Sequence, residues 1–155
     1  LESKKASVIA GVIMIVFLFV GDNILNLIGI DVNSFAIAGA FVLFFIALEM
    51  ILGITLYRKD DSDNLTATVF PLAFPLIAGP GTLTTILSIK SEYSNTSILI
   101  AIIINIIVIY AVLKTSNKIE ALIGKNGINI IRKIFGVVLL AIAIKLFATN
   151  LKLLF

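Results

Sequence analysis

Cysteine and histidine are absent from this chain of 155 residues. Their absence excludes disulfides, thiol chemistry, haem ligation and Cys/His metal sites. It also removes the side chain most often used to move protons near neutral pH. Charge is scarce as well. Only 14% of residues are charged while 60% are apolar, against about a quarter and about half in an ordinary globular domain. A mean hydropathy of +1.17 leaves too few polar residues to cover a water-facing surface. A soluble enzyme, a nucleic-acid binder and a disordered tail are all excluded as primary expectations. The net charge of +3 is read below as a membrane pattern and not as a nucleic-acid patch.

What is present is a succession of long apolar runs. A bilayer-spanning helix takes roughly 20 such residues, and five candidates follow one another. The first runs from about Ala6 to Val20, with a weaker extension from Ile24 to Ile30 beyond a joint at Gly21-Asp22-Asn23. The second runs from Ser34 to Tyr57, the third from Thr66 to Ile89, the fourth from Ser97 to Leu113 and the fifth from Ile128 to Thr149. The joints are Asp31-Val32-Asn33, the polar stretch Arg58 to Asn64, Lys90 to Thr96, and Lys114 to Gly127. The last of these is expected to hold a short amphipathic turn around Ile119, Leu122 and Ile123. Lys4 and Lys5 before an apolar run have the shape of a signal peptide, but no small-residue cleavage site ends that run and four spans follow. With loops this short, residues 1–155 are expected to form a single all-α transmembrane domain, five segments in one bundle.

Alternate loops fall on opposite sides of a bilayer. One side receives nine of the twelve basic residues: Lys4, Lys5, Arg58, Lys59, Lys114, Lys118, Lys125, Arg132 and Lys133. The other receives Lys90, Lys145 and Lys152. Basic residues concentrate in cytoplasmic loops, so the chain start is expected in the cytoplasm and the C-terminus outside. A weak internal repeat lays Ala40–Met50 over Gly136–Leu146, matching Val42, Leu43, Ile46 and Ala47 to Val138, Leu139, Ile142 and Ala143. It pairs the second span with the fifth and the first with the fourth. Units so related have opposite orientation, the inverted-repeat plan of many transporters. The third span then has no counterpart, as in a 3+3 fold whose first helix is missing.

That third span carries the chemistry. In Val69-Phe70-Pro71-Leu72-Ala73-Phe74-Pro75-Leu76-Ile77-Ala78-Gly79-Pro80-Gly81-Thr82-Leu83-Thr84-Thr85, Pro75 lacks a backbone donor and clashes with the preceding turn. Pro80 stands between two glycines. Ala78, Gly79, Pro80 and Gly81 are therefore expected outside regular helix, with Thr82 as N-cap of a second half-helix and Thr84 and Thr85 in its first turn. Such an N-terminus offers free N–H groups and partial positive charge, suited to a carboxylate or another anion. Interrupted helices at mid-membrane are where transporters bind substrate; the alternative is a kink that serves packing alone.

The same run, Phe70 to Thr85, resembles the signature of the MarC family of integral membrane proteins. Ser34 to Ala40, followed by Ala47-Leu48-Glu49-Met50, is similar to a second recurrent stretch of that family. The resemblance covers the whole chain. It implies a six-span fold of the bacterial inner (plasma) membrane, of which this chain would lack the first helix with its Asn-Pro-x-Gly type motif. It also implies a transporter of small solutes, neutral amino acids among them.

Other polar residues in the apolar runs are few. Glu49 lies roughly 13 Å inside the cytoplasmic end of its span at helical rise, and an intramembrane acid is a candidate proton or cation site. Lys145, at the repeat-equivalent position, is expected to reach outward to water. Asn105 sits mid-span, where it either bonds across helices or touches substrate. Gly11, Gly39, Ala40, Ala47, Gly53 and Gly136 are expected to let helices approach closely. The substrate-binding candidates are thus Pro75, Ala78, Gly79, Pro80, Gly81, Thr82, Thr84, Thr85 and Asn105, with Glu49 for coupling. No cofactor, metal or nucleic acid is expected. The partners are the lipid bilayer, a small zwitterionic or anionic solute and, optionally, further copies of the chain. A non-transporting scaffold or assembly subunit is the competing class. A membrane enzyme finds no adequate set of catalytic groups in Glu49 and Thr85.

Overall fold

The computed structural model describes residues 3–54 and 69–154, with side chains from residue 73 in the second stretch. The described residues are almost wholly helical and contain no strand. Helix α1 spans Ser3–Ile28 and α2 spans Val32–Leu52. A π-helical segment, Val69–Ile77, is followed by α3, Pro80–Ile89. Helix α4 covers Asn95–Leu154 and is interrupted at Gly124, whose φ of 73° and ψ of 165° lie outside helical space.

The interruption turns α4 into a hairpin. In one straight helix, Ile109 and Leu139 would be about 45 Å apart at 1.5 Å per residue, yet both line the same cavity. Each lies fifteen residues from Gly124, so the arms 95–123 and 125–154 run antiparallel. A left-handed φ followed by extended ψ is cheap for glycine alone. Nothing lies within 4 Å of where a Cβ would stand at Gly124, so backbone conformation, and not crowding, makes that position special. The expected loop from Lys114 to Gly127 is therefore a correction: helix persists to Ile123, with the reversal concentrated at one residue.

Helices α1, α2 and α4 are each long and apolar enough to cross a membrane. Split at Gly124, α4 supplies two antiparallel arms, so that with α1, α2 and the broken third segment five helical segments make up the bundle. The bundle has the inside-out polarity that lipid allows. Buried positions on α1 and α2 are mostly small, including Ala6, Ser7, Ala10, Gly11, Ala36, Gly39, Ala40 and Ala47, and small residues let backbones approach and gain van der Waals contact. Val12, Phe19, Ile104, Ile107 and Val137 face outward, as lipid tails require. A core of Ala10, Met14, Leu18, Ala73, Ala78, Leu83, Ile86, Ile98 and Ile102 joins α1, the π-helical segment, α3 and the first arm of α4.

Two other boundaries differ from expectation. Gly21, Asp22 and Asn23 form no joint; α1 runs through them, because Gly21 is buried against Phe17 and Leu87 and Asp22 pairs with Lys90 at 2.6 Å. Helix α2 ends at Leu52 and not at Tyr57, with Gly53 as a left-handed cap whose N–H donates to Glu49 O at 3.0 Å. Gly53 meets nothing within 4 Å, so it terminates a helix and is not a packing contact. The α1–α2 turn closes where expected. Ile30 N–H donates to Leu25 O and Gly29 N–H to Asn26 O, the paired bonds of a Schellman ending, and Asp31 then caps α2. The Arg58 to Asn64 stretch lies outside the described residues.

Candidate functional site: a broken helix beside a cavity

The third segment changes helical type along its length. Pro75 cannot donate to the preceding turn, and the segment around it takes the wider i→i−5 pattern, with Ala78 N–H donating to Ala73 O at 2.8 Å. Gly79 then adopts an extended conformation, φ −87° and ψ 174°, and serves as N-cap of α3. A Cβ on Gly79 would stand 1.7 Å from the carbonyl oxygen of Pro75, so only glycine fits. Pro80 occupies the first helical position, where its fixed φ suits the helix and its missing N–H costs nothing.

The expected cap at Thr82 is thus displaced. The break lies at Ala78 and Gly79, while Pro80 and Gly81 are already helical. The reason is that proline is best accommodated at a helix start, which draws that start to residue 80. The first backbone bond of α3 runs from Leu83 N–H to Gly79 O at 2.9 Å. The N–H groups of Gly81 and Thr82 have no acceptor among the described residues. These are the free donors of the half-helix N-terminus.

The three threonine hydroxyls turn back onto the backbone. Thr82 Oγ1 donates to Ile77 O at 3.0 Å, bridging the break. Thr84 Oγ1 donates to Pro80 O at 2.8 Å and Thr85 Oγ1 to Gly81 O at 2.8 Å. Each retains lone pairs but has directed its proton inward.

A cavity of about 510 Å³ opens beside the break. Pro75, Gly79, Gly81, Thr82, Thr85 and Asn105 all line it, so six of the nine substrate-binding candidates share one wall system. Ala78, Pro80 and Thr84 do not line it. Ala78 is in the core, Pro80 is pressed against Gly39, and Thr84 is buried behind α3. Asn105 donates from Nδ2 to Ala101 O at 2.9 Å, within its own helix and not across to another. Glu49 does not line the cavity; it is half-buried on α2, about 9 Å along the helix from the lining residue Leu43. Lys145 is exposed on the second arm of α4, as expected for a side chain reaching outward.

Tertiary structure adds partners that the sequence did not single out. Met14 from α1, Leu43 from α2, Ile98 and Ile102 from the first arm, and Leu139 and Ile142 from the second complete an apolar wall. No sequence signal distinguishes these from other apolar residues. Gly39 was visible as a small residue in a recurrent stretch, but its role as the seat of Pro80 required the fold. The Lys90–Asp22 pair, which ties the end of α3 to α1, joins residues 68 apart. Among the described residues no three acidic side chains converge as metal ligands would. The polar side chains that line the cavity are Thr82, Thr85 and Asn105, in a wall that is otherwise apolar.

An all-helical bundle with apolar outer faces and an interrupted segment beside an open cavity defines a polytopic integral membrane protein. The chain belongs to the MarC family of integral membrane proteins, whose model matches residues 2–155. It is 35% identical to a UPF0056 membrane protein of Buchnera aphidicola subsp. Schizaphis graminum, over the whole of this chain and 79% of that protein. It is 33% identical to a relative from Pyrococcus abyssi, over 97% of this chain and 76% of the relative. A relative from Aquifex aeolicus is 34% identical over 96% of this chain and 74% of its own length. No solved structure matches the chain.

Proposed function

We propose that this chain is a secondary transporter of small solutes, neutral amino acids among them, acting in the bacterial inner membrane with its first residues cytoplasmic. It carries its solute without transforming it. The observation that carries this reading is the pair of unsatisfied N–H groups, Gly81 and Thr82, at a half-helix N-terminus opening on a cavity. The substrate carboxylate rests on those donors and on the partial positive charge of α3. The Asn105 amide stands on the same cavity and orients the solute. The apolar wall from Met14 to Ile142 receives the side chain. Glu49 is the candidate coupling carboxylate, acting from the neighbouring helix.

The competing reading is a membrane scaffold in which the break serves packing. The inward-turned hydroxyls of Thr82, Thr84 and Thr85 favour it. Uptake or efflux of labelled alanine, serine and leucine in vesicles separates the two, using the protein, Thr82→Ala and Thr82→Pro. Thr82 is the third helical position, where no i→i−4 bond exists to lose, and the residue before it is glycine. Proline there deletes one free donor and leaves α3 intact, while alanine removes only the hydroxyl. Apparent affinity in Thr82→Pro is expected to fall about ten- to a hundredfold below Thr82→Ala, the loss of one hydrogen bond to a charged group. Equal affinity in the two variants, or no transport by the parent, leaves the scaffold as the better account. Thr84→Pro is not an equivalent test. Its N–H lies beyond the first turn, where proline would break the helix.

A further inference from the structure

The α4 hairpin carries a second feature, at the opposite end of the arms from Asn95. Lys114 on the first arm and Arg132 and Lys133 on the second lie eight to ten residues from the reversal at Gly124. At helical rise they stand within about 3 Å of one height along the hairpin. On both arms this is also the height at which the uncharged part of the lipid-type run stops, on the second arm four residues inside the expected start at Ile128. Ile98 to Leu113 precedes Lys114, and Ile134 to Ile144 follows Lys133. Two independent stretches of sequence therefore mark the same membrane boundary, and three cations sit on it.

All three are exposed. None has a carboxylate within ion-pair distance among the described residues. Lys114 lies over the ring of Tyr110, its nitrogen 5.8 Å from the centroid, and tyrosine is a residue of the membrane–water interface. Lys118 and Lys125 add positive charge nearer the tip, and Glu120 is the one acid between Lys114 and Lys133.

We infer that this height of the hairpin binds the phosphate of an anionic phospholipid in the adjoining leaflet. Three exposed cations without a carboxylate partner among the described residues, at the boundary where lipid phosphates lie, are complementary to a headgroup of net negative charge, and basic residues near a bilayer surface each add to that attraction. The Tyr110 ring holds the Lys114 stem against the helix, so its ammonium stays at the boundary. A zwitterionic headgroup also brings a cation to the site and gains less. The binding is independent of any solute in the cavity.

The test is equilibrium binding of fluorescent phosphatidylglycerol and phosphatidylcholine, with identical acyl chains, to the purified full chain in neutral micelles. Phosphatidylglycerol is expected to bind about tenfold or more tightly at ~0.1 M salt, a preference that collapses at ~1 M salt as charges are screened. Lys114→Gln/Lys133→Gln should lose the preference. Arg132→Lys, which keeps the charge, and Lys152→Gln, at the other end of the arm, should retain it, which guards against a variant that merely misfolds. Equal affinity for the two lipids at low salt overturns the inference, as does a preference untouched by Lys114→Gln/Lys133→Gln. Displacement of phosphatidylglycerol by millimolar inorganic phosphate also overturns it, because the site would then be one for the free anion.

Discussion

A methyl group on Gly39 would stand 1.9 Å from Cβ and 2.3 Å from Cγ of Pro80, so the start of α3 sits in a notch that only glycine leaves open. Gly11 offers a contrast, since its added Cβ would meet only the tip-ward atoms of Ile106, at 3.3 Å and beyond. Gly39→Ala is expected to lower stability by about 2–3 kcal/mol, because a proline ring and two helix backbones must move, while Gly11→Ala should cost under about 1 kcal/mol. Thermal unfolding of the two variants in detergent checks the ordering, and equal midpoints would mean that α3 is not wedged against α2. Asp31 gives a second expectation at this scale. Its carboxylate accepts from the Ser34 hydroxyl at 2.7 Å and the Ser34 N–H at 2.8 Å. These bonds, the hydroxyl first, hold its pKa below the usual 3.8. A lowered folded pKa stabilises the fold above the unfolded value and loses that contribution as pH falls through the folded one. The parent should therefore lose stability relative to Asp31→Asn as pH drops below about 4. Asparagine still caps the helix and does not titrate. Parallel pH profiles for the two proteins would show that the cap adds no pH dependence.

At the scale of the element, the broken segment combines three local requirements that agree with one another. Pro75 needs a turn that does without its donor, Gly79 provides the close pass over the Pro75 carbonyl, and Pro80 starts a helix well. Their order places the break between the π-helical segment and α3, with Ala78 and Gly79 buried and the cavity walled by Asn105 and the arms of α4 beside it. Much of this was legible in residues 75–81, since proline and glycine act through backbone sterics that need no distant partner. The position of the cap was not. Thr82 has the side chain of a good N-cap, but the helix start is set by Pro80, and the Thr82 hydroxyl closes the break from the third position instead. The comparison of Thr82→Pro with Thr82→Ala follows from that placement, because within α3 it is positions 81 and 82 whose N–H groups find no acceptor among the described residues.

At the scale of the whole molecule, the antiparallel pairing of α2 with the second arm decides the shape. Phe41 meets Phe147 edge-on at 5.5 Å, and a Cβ on Gly136 would touch Met50 and Ile51. Positions that rise along α2 therefore fall along the arm. These are the opposite directions required by matching 40–50 with 136–146. A five-span arrangement would put the Gly124 reversal and the start of α4 on opposite faces of the bilayer. Cysteines introduced at Asn126 and at Thr96, both exposed, should react with an impermeant reagent from opposite sides of sealed vesicles, with Asn126 on the cytoplasmic side. Labelling of both from one side would remove the five-traverse arrangement, and exchange of the two sides would reverse the proposed orientation.

Composition alone determined that the chain lives in lipid, because burying so many apolar residues in water would need a surface that 14% charge cannot supply. Local backbone rules determined that the third segment would break, and the Phe70 to Thr85 run pointed to the family. What distance in sequence concealed was which faces meet. Apolar helices of leucine, isoleucine and valine look alike on every side, so apart from Asn105 nothing in residues 98–109 or 139–142 announced that they would wall a cavity with Met14 and Leu43. The Lys114 to Gly127 linker looked like a loop because its charges interrupt hydropathy, although hydrogen bonding along a helix is indifferent to charge and the chain needed only Gly124 to turn. The seat of Pro80 in Gly39 and the tie of Lys90 to Asp22 arise between segments far apart in the chain. Packing between elements decided them, since helix association in lipid rests on close steric fit, and that fit exists only once the bundle has formed.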